Sequence, residues 1–361
     1  MDGQKMNTGS REPQARQTPS AKAPSAETPW RPAAGDFGQT AARRLTDLES
    51  GSVIGATVVL VVVVGIFHHN FLSVTQLKQV AQQASFIALM AVGMSFLLAM
   101  REIDLSVGSM FGLTLIIGAV LIRGGMNPWL AALVCIAAGA GLGLVNALLV
   151  QGAKIPAIIA TLGTLSLYSG LAEALANGQQ IVGLPIGDSF FAILGGNELG
   201  LPTSVWVLLI IIIVLTVVLR LTPFGYRVRA IGSNPDAATF SGISIPRVRV
   251  QALVLMGVLC GIAGVLGLAF YDSGDPSVGT GSELTAIAAA IIGGTALAGG
   301  TATVLGAAVG AILLGVVSSA LVFFNVPLNW SAFATGAVII VAVGMDSLLR
   351  QGRRRRRARQ L

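Results

Sequence analysis

The sequence predicts an all-α integral membrane protein: a polytopic helical bundle of about ten transmembrane helices, with broken or re-entrant segments. Three observations predict it. Of 361 residues, 54% are hydrophobic and only 11% charged, against roughly 25% charged in a soluble domain, and the mean hydropathy is +0.79. The charges are unevenly spread, with 13 in the first 50 residues, 6 between Arg220 and Arg249 and 7 from Arg350 onward. That leaves 13 for everything else, too few to solvate a soluble surface. The rest of the chain runs in long apolar stretches, which only helices or closed barrels can carry through lipid. A cytosolic enzyme, a disulfide-rich secreted module and a disordered protein are all excluded.

Residues 1–50 are rich in Pro, Ala, Gln, Thr and Ser with no apolar period. They read as a disordered tail, and Arg43 and Arg44 favour its lying in the cytoplasm. A membrane domain follows over 51–350, with apolar runs at about 52–67, 81–100, 103–122, 128–151, 156–176, 205–221, 250–271, 284–299, 303–324 and 330–349. Several fall short of the roughly 20 residues needed to cross. The first could extend through His68 and His69, and the pair 284–299 and 303–324, broken at Gly299-Gly300, could cross or re-enter. Starting from a cytoplasmic N-terminus, the inner segments collect 21 of the 23 basic residues, and only Lys78 and Arg123 fall outside. This supports an even number of crossings, with both termini cytoplasmic. Glycines at four-residue spacing, Gly139/Gly143, Gly257/Gly261 and Gly306/Gly310, read as stripes that let helices pack closely. The last residues, 351–361, form a basic tail. Its run Arg353–Arg357 reads as an anchor on anionic membrane lipid rather than a nucleic-acid site.

Several chemistries have no residues to support them. No G-x-x-x-x-G-K-[ST] loop occurs, so ATP has no P-loop here. There is no nucleophile elbow, no H-E-x-x-H and no paired catalytic carboxylates. His68-His69 stand alone, whereas a metal site needs more ligands. Cys135 and Cys260 read as small buried hydrophobes.

The loop 221–249 is the most informative stretch. Asn234 suits an N-cap, Pro235 the first helical position, and Asp236 the positive end of the helix dipole. Ala237 and Ala238 follow, and Gly242 can end the helix. This predicts a helix of about two turns between two spans on the cytoplasmic side. It could be a plain amphipathic connector or an element that docks into a partner's groove.

Asp104 stands between two apolar runs, where an ionisable residue is expensive. It could pair with Arg101 on one helical face, or cap a broken helix with Ser106 and Gly108, where non-helical backbone must line water or protein. Glu283 precedes the run at 284 and reads equally as an N-terminal dipole partner or a gate residue.

The pattern Asp236-Ala237-Ala238 with Gly242 resembles the E-A-A-x-x-x-G coupling loop of permease subunits of ABC importers. Glu102-Ile103-Asp104-Leu105-Ser106-Val107-Gly108-Ser109 is similar to the G-x-I-D-L-S-V-G-S signature of ribose/xylose/arabinose-type sugar permeases. The stretch from Gly281 through Glu283 to Gly293-Gly294-Thr295 resembles G-x-E-L-x-A-I-A-A-x-x-x-G-G-T in the same family. So does Gly299-Gly300 with Gly306 and Gly310. Order and spacing fit over about 50–350. There are two departures: Arg101-Glu102 replaces the usual Gly-Gly, and Thr301-Ala302 replaces a Gly after Gly300.

The resemblance implies a non-enzymatic permease that moves a monosaccharide, a pentose or related sugar, through the cell membrane. It implies no cofactor in this chain, with ATP and Mg²⁺ on partner ATPase subunits. A solute-binding protein outside and a second permease chain, identical or not, complete the expected assembly. It makes Asn234, Asp236, Ala237, Ala238 and Gly242 the expected ATPase-coupling residues. Asp104, Ser106, Gly108, Glu283, Gly293 and Gly294 are the candidates for the translocation path. Branched-chain amino acid and nucleoside permeases share a related pattern. An ion-coupled secondary carrier would instead need buried carboxylates as its coupler, and Asp104 is the one candidate.

Overall fold

A computed structural model describes residues 48–327, Gly3 and six further positions from 330 to 344. The two expected tails, except Gly3 and residues 48–50, and most of the span expected at 330–349 lie outside the described residues. The chain divides into two units, Met1–Leu45 and Thr46–Leu361, and every element below belongs to the second.

In chain order these are α1 (Leu48–Phe67), a 3-10 turn (His69–Leu72), α2 (Val74–Ala99), α3 (Val107–Arg123), α4 (Pro128–Gln151) and α5 (Ala157–Ala176). Then come α6 (Ser189–Leu194), a small hairpin of β1 (Asn197–Glu198) and β2 (Leu201–Pro202), and α7 (Thr203–Leu221). The rest are α8 (Pro223–Ser233), α9 (Pro235–Phe240), α10 (Ile245–Tyr271), α11 (Ser282–Ile292) and α12 (Val304–Phe323). Local chemistry sets many of the ends. The Ser73 hydroxyl accepts from Gln76 N at 3.3 Å to start α2. Asn127 accepts from Trp129 N and Leu130 N ahead of Pro128 to start α4, and left-handed Asn177 closes α5.

Six helices, α2, α4, α5, α7, α10 and α12, are long and apolar enough to cross a membrane. The protein is a multi-pass membrane protein. α1, α3 and α11 carry shorter apolar stretches, so among the described residues six of the ten expected runs form helices long enough to cross, and a count of ten is not reached. Two expected spans are cut short. The run at 284–299 is helical only to Ile292, because Gly293 caps it and Gly294 turns with φ +99. Its eleven residues rise about 16 Å, half of what a crossing needs. The run at 103–122 becomes helical only at Val107, after a break that is part of the site below. α8 was not expected at all: the chain restarts a helix at Pro223, with Thr222 accepting from Gly225 N at 3.3 Å.

α2 and α10 form the interior, 83% and 72% buried over their apolar windows, whereas α5 and α7 are 28% buried. The outward faces of α5 and α7 show Ile158, Ile159, Leu162, Leu167, Ile210 and Ile213. Such surface is stable against acyl chains and not against water. The glycine stripes of α4 and α10 pack on each other. A Cβ on Gly139 would strike Gly257 O, one on Gly257 would strike Gly139 O, and one on Gly143 would strike Leu253 O. In the same way Gly306 and Gly310 of α12 lie on Gly293 and Ala289. Close backbone approach of this kind gives helices dispersion contacts that lipid cannot match. Cys135 and Cys260 are both buried in this region.

Candidate functional site

The segment expected to meet an ATPase starts where α8 ends. Asn234 is extended (φ −155°, ψ 102°), and its side-chain oxygen accepts from Ala237 N at 3.1 Å. With Pro235 at the first position this nucleates α9, which is six residues long, slightly under the expected two turns. It ends in a Schellman arrangement. Gly242 N donates to Thr239 O and Ile243 N to Ala238 O, both at 3.0 Å, with Gly242 at φ +79. Ala238 is buried and packs inward, on the side of α8 and the start of α10. Its small size therefore serves the protein's own packing. The outward surface comes from Asp236, Ala237, Thr239 and above all Phe240, which is 93% exposed. Gly242 has open space where a Cβ would sit, so its backbone angle, not close contact, demands glycine.

Directly before α9, Gly232 is jammed against the end of α2. A Cβ there would strike Ala99 O and approach Gly300 N to 2.5 Å. Gly300 N itself donates to Ala99 O at 2.8 Å. Three elements therefore meet at one point: the C-terminus of α2, the entry to α9 and the Gly299-Gly300 turn between α11 and α12. Arg101 joins them. Its Nε donates to Gly232 O at 2.9 Å and its Nη2 to Ser233 O at 3.2 Å. The expected Arg101–Asp104 pair does not form. Arg101 adopts a left-handed backbone (φ +66), which breaks the helical spacing that would have stacked the two side chains.

Asp104 turns the other way, into a buried polar cluster. One carboxylate oxygen accepts from Ser106 N (2.8 Å) and Ser106 Oγ (2.6 Å), and the other from Asn146 Nδ2 (3.2 Å). Asn146 Nδ2 also donates to Ser106 Oγ (2.8 Å), and Tyr168 OH donates to Asn146 Oδ1 (3.1 Å). Asp104, Ser106 and Asn146 have no exposed surface. Among the described residues no cation faces this carboxyl; neutral donors and the positive end of α3, which starts three residues on, surround it. Ser106, not Asp104, is the N-cap of α3, and it makes no side-chain cap bond.

Glu102 lies beside this cluster and forms an ion pair with Arg249 of α10. Burial pushes the Glu102 carboxyl above its ordinary range, and Arg249 pulls it back. With the Gln151 amide oxygen facing Arg249, that oxygen accepts from Nη1 at 2.7 Å and Nε at 3.2 Å.

Glu283 is half-buried at the first turn of α11, with its carboxylate against Gly108 of α3. The loop before it lies along α3: Gly274 against Ala119, Val278 O against Gly112, and Gly279 against Gly108. The starts of α3 and α11, neither with a side-chain cap, are therefore neighbours. At the far end of α11, Gly293 O accepts from Thr303 Oγ1 at 2.5 Å, and Gly294 makes the left-handed turn.

The model of the family described as branched-chain amino acid transport system, permease component, matches residues 76–343. The chain belongs to this permease family. The permease is 34% identical over 302 residues to the ribose import permease RbsC of Escherichia coli K12, covering 83% of this chain and 94% of that one. It is 35% identical to RbsC of Bacillus subtilis, with 80% and 89% covered. It is 33% identical to the L-arabinose ABC transporter permease AraH of Azospirillum brasilense, with 79% and 84% covered. No solved structure matches the chain.

In this permease the expected residues fall into separate places. Asn234 to Gly242 form one surface element. Asp104 and Ser106 form a buried cluster, and Gly108 packs with Glu283 just beyond it. Gly293 and Gly294 end a half-helix elsewhere. Reading the sequence missed Asn146, Tyr168 and Arg249, which complete the buried cluster and the ion pair. Asn146 and Tyr168 sit in apolar runs on α4 and α5. A polar side chain inside a span, which lipid would penalise, was the available signal.

Proposed function

We propose that the protein is the transmembrane subunit of an ATP-binding-cassette importer, passing a monosaccharide, a pentose or related sugar, into the cytoplasm. The observation that carries this is the match, over more than four-fifths of the chain, to a ribose import permease. The capped, outward-facing α9 supports it. Phe240 and the exposed side of a rigid short helix suit a groove on an ATPase subunit, and helix-in-groove docking needs such an anchor. In this reading ATP and Mg²⁺ stay on the partner, a solute-binding protein delivers sugar outside, and a second permease chain closes the path. α9, Arg43 and Arg44 and the C-terminal arginines lie on the cytoplasmic side. The break at Asp104–Gly108 and the start of α11 at Glu283 border the path, where neighbouring half-helices can shift as bodies.

The test is reconstitution with candidate ABC ATPase and solute-binding proteins from the same cell, in liposomes holding ATP. Uptake of radiolabelled ribose or arabinose that stops when ATP is replaced by a non-hydrolysable analogue supports the importer. Uptake that persists without ATP and follows an imposed proton or sodium gradient would replace it with an ion-coupled carrier. Competition by leucine but not by ribose or arabinose would move the cargo to branched-chain amino acids.

A further inference from the structure

Arg101 occupies a left-handed backbone position, φ +66, at a conformational cost that glycine would not carry. Its side chain therefore has a task that offsets this cost, and its contacts define one. Nε and Nη2 hold the carbonyls of Gly232 and Ser233, the last two residues before Asn234. Its aliphatic part lies on Gly299, whose added Cβ would come within 2.6 Å of Arg101 Cγ. The next residue, Glu102, is bound to Arg249 at the start of α10, which also reaches Gln151 at the end of α4. Two residues later comes Asp104, fixed to Ser106 and Asn146. Consecutive residues thus fasten the entry of α9 on one side and α10 and α4 on the other. Between them lies the non-helical break that starts α3.

We infer that Arg101 and Glu102 act as a two-ended strut, which carries displacement of α9 into the Asp104 break and the starts of α3 and α10. Without it, the side-chain hydrogen bonds that tie the entry of α9 to the residues before the break are absent. Arg101 is a positioning residue here and touches no cargo. The inference rests on the importer reading above, and the experiment separates the two.

Single cysteines are placed at Ser241, beside α9, and at Leu105, in the break. The native cysteines are buried, so thiol labelling reports the added one. The permease is assembled with its ATPase, and labelling rates are compared with and without ATP plus vanadate. In the otherwise native complex both positions should change rate. In Arg101→Gly, the response at 241 should persist, while the response at 105 falls by about fivefold, the lower end of ordinary coupling strengths. The melting temperature should be unchanged or higher, because glycine relieves the backbone. Arg101→Lys, which keeps the charge without the planar fork, should be intermediate. Exchanging the ion pair, Glu102→Arg with Arg249→Glu, should recover response lost in Glu102→Arg alone. A full response at 105 in Arg101→Gly overturns the strut. Loss at both positions also overturns it, since Arg101 would then only seat α9. No response at 241 in the native complex removes the importer reading itself.

Discussion

Asp104 is a carboxyl group without exposed surface and, among the described residues, without a cationic partner; three hydrogen bonds tie it to Ser106 and Asn146. Such a group tolerates loss of a donor badly, because the oxygen left unpaired stays in surroundings that cannot solvate it. Asp104→Asn keeps the shape but turns one oxygen into a donor facing the donors of Ser106 or Asn146. It should cost about 1–3 kcal/mol, read as a lower melting temperature in detergent. Tyr168→Phe removes only the hydroxyl that meets Asn146 Oδ1 and Leu142 O. It should cost about 1 kcal/mol, and less when combined with Asn146→Ala, since the two share a bond. Full additivity of that pair would mean the network does not work as a unit.

At the scale of the element, α9 is defined by its two ends. Asn234→Ala removes the cap to Ala237 N and should cost about 1 kcal/mol locally. Gly242→Ala forces a side chain into φ +79 and should cost about 1 kcal/mol through the backbone alone. Both should weaken ATPase capture modestly. Phe240→Ala should weaken it most while leaving the melting temperature unchanged, because that side chain touches little of its own protein. If capture by the ATPase is equal in Phe240→Ala and the native protein, the exposed face of α9 is not the docking surface. A matched pair tests the α4–α10 crossing. Gly139→Leu meets Gly257 O, whereas Gly141→Leu on the same helix meets open space. The first should lower stability by at least about 1–3 kcal/mol and the second should leave it alone.

For the whole molecule, the 21-to-2 division of basic residues over the expected ten-span alternation predicts α9 on the cytoplasmic side and the β1–β2 hairpin outside. A cysteine at Ser233 should react with a membrane-impermeant thiol reagent only in inside-out vesicles, and one at Asn197 only in intact cells. Labelling of Ser233 from outside would invert the orientation and detach α9 from any cytoplasmic ATPase. The division of burial, with α2 and α10 central and α5 and α7 at the rim, predicts where a second permease chain or lipid must lie. Among the described residues the apolar surface left to cover lies on the outer helices, on α1 and α4 as well as α5 and α7.

Composition and pattern were enough for the membrane class, for the positions of the long spans and for α9 with both its caps. These depend on neighbours within a few residues: apolar run length, a side-chain cap, a glycine in the left-handed region. The glycine stripes were legible too, although not which stripe met which. Tertiary structure decided the rest. It paired Gly139 with Gly257, turned Ala238 inward, and sent Arg101 to the carbonyls that end α8 instead of to Asp104. It also brought Asn146 and Tyr168, 42 and 64 positions along the chain from Asp104, into one cluster. Charge pairing and buried hydrogen bonds act over a few ångströms in space, whatever the distance along the chain. A carboxylate in an apolar run shows that a partner must exist, and only the packing of α3, α4 and α5 selects it.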